Sequence, residues 1–466
     1  DTRMQVPGLC VSVCVCLCVP SATPPQGDVP MNVQALREQF PTLRAEEPLT
    51  YLDNACVTLR PDSVIQAIRE YYTKQPACAG RSPHRWGTAV TQMVSRTRRK
   101  VGRFIGADAS GVVFMRNTTE AINQVASGIE WSDGDIVLTS DREHNSNLVP
   151  WLQLERRGVV EHRSVASLPD NSFDIEVFAD ACADAGDRLR LVSLPQVGNL
   201  DGVEIPIREV AAITHDYGAR LLVDGAQSVP HMPVDVKNLE CDWLAFSMHK
   251  MLGPSGMGVL WGDDEALDEL EPRTGGGETV VDASFSGFEF RSGPERFEGG
   301  IGNYSGIAGT EAAIDLLSGL DMAEVQEHEQ RLNRIIGDGV SGIAGIEVIG
   351  PPDAAARGGV TDVLVDGCDV HDLAILLDEA GEILVRSGFH CVNSWFNERG
   401  HDAGSLRSSL YLYNTEAECR HFVDTFTEVV NAMRYRMPVD AITQSIYVHP
   451  ALPEVVQRAF GSLPIH

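Results

Sequence analysis

Lysine is scarce in this chain, and one of its four copies is placed where it can react. Lys74, Lys100, Lys237 and Lys250 are the only lysines among 37 basic residues. Lys250 closes Ser247-Met248-His249-Lys250 at the end of a strand-like apolar run. A glycine-rich turn, Gly253-Pro254-Ser255-Gly256-Met257-Gly258, follows it. A strand-end lysine beside small polar residues can form a Schiff base with an aldehyde cofactor, provided its surroundings leave the amine partly deprotonated. The other reading is a surface lysine in a loop. Asp224 ends Leu221-Leu222-Val223 and opens Gly225-Ala226-Gln227. At the carboxyl end of a parallel strand such a carboxylate can keep a pyridine nitrogen protonated and make the ring an electron sink. It can equally be a helix N-cap. Asn117-Thr118-Thr119-Glu120 follows another strand and opens a helix, where free N–H groups and hydroxyls bind phosphate. The same four residues are also an ordinary capping signal.

These residues need a scaffold that brings strand ends together. Short apolar runs at Val112–Met115, Ile136–Thr139, Leu189–Leu194, Leu221–Asp224, Trp243–Met248 and Gly258–Trp261 read as buried strands. Helix-like stretches lie between them, as with Ala121, Ile122, Val125 and Ala126. Strand and helix in alternation predict a mostly parallel sheet covered on both faces. Beyond about residue 300 the style changes to long helices with few strands. The spacing Phe422, Phe426, Val429, Val430, Met433 marks one apolar helix face there. A large α/β domain followed by a smaller α+β domain is expected.

The chain has 466 residues, with 66 Asp+Glu against 37 Lys+Arg and a formal charge of −29. That acidity argues against nucleic acid and against anionic membrane surfaces, both of which need a basic face. Acidity with almost no lysine suits a protein kept soluble in concentrated salt, so a halophilic source is expected. Residues 1–30 differ from the rest: Cys10, Cys14, Cys16 and Cys18 crowd one apolar run, followed by Pro20, Pro24 and Pro25. The run is too short to span a bilayer as a helix. We expect an unstructured leader upstream of a true start at Met31. The other cysteines show no metal spacing or disulfide framework, which fits a reduced cytoplasm and no metal site.

An ordered set of motifs makes the chain resemble a known family. Tyr51-Leu52-Asp53-Asn54-Ala55, Asn117-Thr118-Thr119-Glu120, Glu143-His144, Asp224-Gly225-Ala226-Gln227 and Ser247-Met248-His249-Lys250 occur in this order. Arg296-Phe297-Glu298-Gly299-Gly300, Arg386-Ser387-Gly388-Phe389-His390-Cys391 and Leu410-Tyr411-Leu412-Tyr413-Asn414-Thr415 follow. From about Met31 to Met437 the chain resembles the class V aminotransferase superfamily, and within it the Suf-type (group II) cysteine desulfurases. The resemblance implies the fold-type-I pyridoxal-phosphate architecture with a mostly parallel seven-stranded sheet. It also implies an N-terminal arm (31–60) packing with the small domain, a large cofactor domain (61–300) and a small C-terminal domain (301–437).

Roles follow from the resemblance. Lys250 would carry pyridoxal phosphate as a Schiff base and shuttle protons, Asp224 would pair with the pyridine nitrogen, and Gln227 would bond the ring hydroxyl. His144 would stack on the ring and assist proton transfer. Thr118, Thr119, Ser247 and His249 would hold the phosphate. Arg407 would clamp the substrate carboxylate, a task suited to a guanidinium, with Arg386 and Asn54 assisting. Cys391 would take sulfur from L-cysteine as a persulfide and pass it to an acceptor or scaffold protein for iron–sulfur cluster assembly. Only a thiolate is competent there, so cations are expected nearby, with Arg386 and His390 close in sequence. A homodimer is implied, the loop Gly299 to Asn303 completing the neighbouring site.

Some positions depart from the family pattern. His144-Asn145-Ser146-Asn147 stands where His-His-Ala-Asn is usual, Gln196 replaces a ring-contacting asparagine, and Ile301 replaces a threonine that reaches the partner's phosphate. Substrate choice therefore stays open to a selenocysteine lyase, an aminotransferase or an epimerase-like enzyme, and a non-catalytic sulfur-relay partner is a further alternative. Ser445 to Glu454, within an appended tail over 438–466, resembles the end of a pyridine-nucleotide disulfide oxidoreductase.

Overall fold

The computed structural model of this chain describes residues 31–44 and 49–435. The leader expected over 1–30 and the tail expected over 438–466 lie outside the described residues. After a short strand, β1 (Thr50–Tyr51), the chain builds one large sheet. Its strands are β2 (Val112–Met115), β3 (Ile136–Ser140), β4 (Glu161–Val165), β5 (Leu189–Pro195), β6 (Arg220–Asp224), β7 (Trp243–Ser247) and β8 (Gly258–Gly262). The spatial order is β2-β8-β7-β6-β5-β3-β4, and all neighbours are parallel except the two pairs that involve β8. This is the seven-stranded, mostly parallel sheet that the resemblance implies.

Pleating explains why apolar runs are needed. Val112 and Phe114, Leu221 and Val223, and Leu244 and Phe246 enter one apolar cluster. Val113 and Met115, Leu222, and Trp243 and Ala245 enter another. Successive side chains point to opposite faces, so a sheet covered on both faces must be apolar at nearly every position. The helix Thr118–Gly128 closes the second face with Ala121, Ile122, Val125 and Ala126. Sequence reasoning found six strands and missed β4. That strand reads Glu-His-Arg-Ser-Val at the sheet edge, with only Val165 buried, so no apolar run marks it.

An antiparallel hairpin follows, β9 (Val280–Ser284) with β10 (Gly287–Phe290), exposing Val281, Phe285 and Phe288. Then come β11 (Ile346–Ile349), β12 (Val360–Val365), β13 (Ile383–Leu384), β14 (Arg386–Gly388) and β15 (Ser405–Ser409). Four of these form an antiparallel sheet in the order β11-β12-β15-β14. Its core includes Phe422, Phe426, Val429 and Val430, the predicted helix face. The helix Tyr304–Leu317 packs with the large sheet through Ile307, Ala313 and Ile314. The helix Met322–Ser341 gives Val325 to that cluster and Leu332, Ile336 and Val340 to the small one. By packing, the core therefore changes inside this helix, later than the change of sequence style near residue 300. β1 pairs in parallel with β13, and Asp53 bridges to Ser409. The N-terminal arm is thereby laid along the small sheet beside the ends of the large one. Among the described residues no helix is long and apolar enough to cross a membrane.

Candidate active site

The carboxyl ends of β2, β3, β5, β6 and β7 open into one cavity of ≈ 200 Å³, closed on its other side by β14, β15 and the N-terminal arm. Strand register builds its floor. Ser247 pairs with Gly258, which pairs with Met115. A Cβ at Gly258 would fall 2.5 Å from the Asn117 Cα, so only glycine lets the helix start approach this closely. Ser247 Oγ accepts the Thr118 N–H at 2.8 Å and lies 2.6 Å from Thr118 Oγ1. Asn117 caps the helix, its Oδ1 accepting the Glu120 N–H at 2.9 Å. The capping reading of Asn117-Thr118-Thr119-Glu120 is thus observed, and Thr118 and Thr119 line the cavity together with Ser247 and His249. Thr119 Oγ1 sits 2.7 Å from Ser146 Oγ.

Directly after β7 a 3₁₀ turn, Met248–Lys250, carries Lys250 into the cavity. Burial holds its amine below the usual lysine range; Asp224 opposes that shift, and the Arg407 charge adds to it. Asp224, at the end of β6, is buried, and its Oδ1 accepts the Ala226 N–H at 2.9 Å. Burial raises its carboxyl above the ordinary range, against the pull of Lys250. Gln227 reaches the same cavity and donates to the Ala55 carbonyl at 2.9 Å.

His144 caps the helix Asn145–Arg156, its Nδ1 accepting the Ser146 N–H at 3.0 Å. Burial, then the charges of Lys250, Arg407 and Arg386, push it down to about 3, so the ring is neutral with its proton on Nε2. The preceding residue, Glu143, is buried and pushed up to about 8 by that burial, although Ser140 and Asn147 hydrogen-bond to it.

Arg407 on β15 is buried. Its Nη1 donates to the Asn199 carbonyl at 2.8 Å and its Nη2 lies 3.6 Å from Asp53 Oδ1. Its Nε and Nη2 make no hydrogen bond. Arg386 lines the same cavity, and its Nη2 stands 3.9 Å from Cys391 Sγ. Cys391 is half-buried in a turn where His390 (φ 48°) and Cys391 (φ 62°) are both left-handed. Two consecutive left-handed residues without glycine are costly and persist only when surroundings enforce them. Here the Asn145 N–H donates to the Cys391 carbonyl at 2.7 Å, and Asn199 Nδ2 donates to the His390 carbonyl at 2.9 Å.

Several expectations need correction. His390 is not a cation beside the thiol. It is buried with Nε2 3.0 Å from Ser405 Oγ, and burial holds it well below the ordinary imidazole range. Asn54 does not line the cavity. It is buried in the tie between arm and small domain, donating to the Ser409 carbonyl at 2.8 Å and to Asn414 Oδ1 at 3.2 Å. Gln196 is also absent from the lining. Its N–H donates to the Asp224 carbonyl at 3.1 Å, while its buried Oε1 has no partner. Asn199, three residues later, occupies the wall instead. Ile301 is 77% exposed.

Sequence reasoning also missed Cys56 and Asp362. Cys56 lines the cavity directly after Tyr51-Leu52-Asp53-Asn54-Ala55. Asp362 is buried behind His390 and pushed up to about 7 by that burial. A carboxylate inside the apolar run Val360–Val365 was the available signal.

The donor set fits pyridoxal phosphate: a buried lysine, a strand-end carboxylate, a neutral imidazole, and hydroxyls at a helix start. The Nε and Nη2 of buried Arg407, which make no hydrogen bond, leave donors for an anionic group in the cavity.

Residues 50–422 match the family model described as aminotransferase class-V. A probable cysteine desulfurase of Halalkalibacterium halodurans is 35% identical over 398 residues, covering 83% of this chain and 95% of the relative. A cysteine desulfurase of Haloferax volcanii is 34% identical over 429 residues, covering 88% and 98%. The apo structure of a cysteine desulfurase from Thermococcus onnurineus NA1 superposes with a TM-score of 0.81 at 33% identity, covering 86% of this chain and 98% of that one.

Proposed function

The chain belongs to the class V aminotransferase family, and on that premise we propose that it is a pyridoxal-phosphate-dependent cysteine desulfurase. L-Cysteine and the Cys391 thiol give L-alanine and a Cys391 persulfide; the substrate C–S bond breaks, an S–S bond forms, and no external oxidant is needed. The observation that carries this reading is the position of Arg386. It lines the Lys250 cavity and holds its Nη2 3.9 Å from Cys391 Sγ, so amine chemistry and thiol chemistry border one volume.

Asp224 would hold the ring nitrogen of the cofactor, Gln227 its ring hydroxyl, and Thr118, Thr119, Ser247 and His249 its phosphate. When bound, pyridoxal phosphate supplies a protonated ring that accepts the electron pair left on the substrate α-carbon. Lys250 takes and returns protons at that carbon through Nζ, whose affinity for protons burial has reduced. His144, neutral and lining the same cavity, would stack on the cofactor ring. Arg407, whose Nε and Nη2 make no hydrogen bond, orients the substrate carboxylate. The sulfur passes to a separate acceptor for iron–sulfur cluster assembly, in a cytoplasmic, salt-adapted homodimer. The exposed Val281, Phe285, Phe288 and Ile301 favour a second copy as their cover.

Replacing Cys391 with Ala should abolish sulfide release from L-cysteine while the absorbance of the bound cofactor persists. Sulfide release at the parental rate would refute the mechanism.

A further inference from the structure

We propose that Cys56 is a second sulfur-carrying thiol of this site, receiving sulfane sulfur from the Cys391 persulfide. The inference rests on the desulfurase reading and extends it to a residue that the expected roles do not use.

Seven cysteines lie among the described residues, all free, and Cys56 is the one that lines the Lys250 cavity. Cys182 and Cys241 sit in the large apolar cluster and Cys419 in the small one. Burial alone raises the Cys182 thiol, and burial is also the first cause at Cys241 and Cys419. Cys56 is only half-buried.

Its position is held from both sides. Ahead of it, Ala55 N–H donates to Ser409 Oγ at 2.9 Å, and Cys56 N–H donates to the Asp53 carbonyl at 3.2 Å. Behind it, Tyr51 OH donates to the Val57 carbonyl at 2.6 Å, and Thr58 N–H donates to the His249 carbonyl at 3.0 Å. The arm is thus tied both to β15 and to the turn that carries Lys250. The thiol is a fixed part of the wall rather than the tip of a loose segment.

A second observation marks the volume in front of it as a place for an anion. Arg407, 1% exposed, lines the same cavity; its Nε makes no hydrogen bond, and its Nη2 has only the ion pair with Asp53 Oδ1 at 3.6 Å. Arg386 lines it too and reaches to Cys391 Sγ. A cavity walled by two guanidiniums and a lysine favours an anionic group within it. Cys56 stands in the cavity wall, and Arg386 of the same wall reaches Cys391 Sγ at 3.9 Å, so one guanidinium links the two thiols.

The step balances. The Cys56 sulfur attacks the outer sulfur of Cys391–S–SH and an S–S bond forms to Cys56. The Cys391 S–S bond breaks, and the departing Cys391 thiolate takes the proton that Cys56 releases. One persulfide and one thiol give one thiol and one persulfide, so no oxidant or reductant enters. The second thiol stores the sulfur in the interior and returns Cys391 to its reduced form without an acceptor.

The test uses the cofactor-loaded protein, L-cysteine as the sulfur source and no acceptor. Samples are blocked with iodoacetamide at intervals and mapped as peptides by mass spectrometry, with alanine measured in parallel. Sulfane sulfur should reach the Cys391 peptide first and the Cys56 peptide after it. In Cys391→Ser, Cys56 should stay unmodified, and in Cys56→Ser the sulfane sulfur bound per protomer should about halve. A Cys56 peptide without sulfur, in protein whose Cys391 carries it, would overturn the proposal and leave the desulfurase standing. Sulfur on Cys56 in Cys391→Ser would also overturn it, since Cys56 would then act directly on substrate. Absence of sulfur on both peptides, with no alanine formed, would remove the desulfurase reading and this one with it.

Discussion

Arg386 and Arg407 stand directly opposite each other on neighbouring antiparallel strands, β14 and β15, and both side chains reach the cavity of Lys250. Like charges opposite each other on a sheet repel. The pair is tolerable because Asp53 and Asp362 are close to Arg407 and because an anion can lie between the guanidiniums. On the proposed function, that anion would be the substrate carboxylate.

Replacing Arg407 with Lys keeps the charge but loses the planar fork. A charge-assisted hydrogen bond of about 1.5–3 kcal/mol is at stake, so kcat/KM for L-cysteine should fall roughly 10- to 150-fold, mostly through KM. Arg386→Lys should have a smaller effect on KM. Steady-state kinetics that left KM untouched in Arg407→Lys would remove the carboxylate from this residue.

Glu143 gives a pH-dependent contribution with a definite sign. Burial raises its carboxyl to about 8, so the folded state keeps a proton that the unfolded state releases from about pH 4.5 upward. Its contribution is full below that range and is lost as pH rises through about 8. In urea titrations between pH 5 and about pH 8, parent protein should lose stability relative to Glu143→Gln, on the order of 1 kcal/mol per pH unit. Parallel curves for the two proteins would show that Glu143 is already ionised in the fold.

Arg142 and Asp201 form a buried pair, Nη1 to Oδ2 at 2.7 Å with side-chain exposures of 1% and 0%. Asp201 also accepts the Val203 N–H at 3.0 Å, so it fixes the loop that delivers Asn199 to the cavity. Asp201→Ala leaves a buried guanidinium without its partner and should cost about 3–5 kcal/mol in chemical denaturation. Replacing both residues with leucine should cost less than the single change.

A formal charge of −29 makes self-repulsion a large term at low ionic strength. The screening length shrinks from about 10 Å to about 3 Å between roughly 0.1 M and 1 M salt. The thermal midpoint should therefore rise steadily with added KCl. A midpoint that fell over this range would contradict salt adaptation.

The legible parts of the fold were those with a physical cause written locally. Strands buried on both faces must be apolar at nearly every position, so β2, β3, β5, β6, β7 and β8 announced themselves. β4 did not, because an edge strand with a polar face needs no such run. Lys250, Asp224, His144 and Thr118 follow strand ends or open helices, and a parallel sheet collects its carboxyl ends on one side. Their convergence in one cavity was readable before any contact was known.

Arm and loop residues were a different matter. Asn54 and Cys56 are two positions apart, yet the first is bound into the tie between arm and small domain while the second faces the cavity. Gln196 and Asn199 exchange places in the same way. Irregular backbone has no period from which to infer direction. Each side chain points where distant partners hold it or its peptide, here Ser409, His249 and His390, between 191 and 355 residues away. Residue type and order were enough to name the chemistry; which atoms share the reaction volume was set by hydrogen bonds that close only when the two sheets meet.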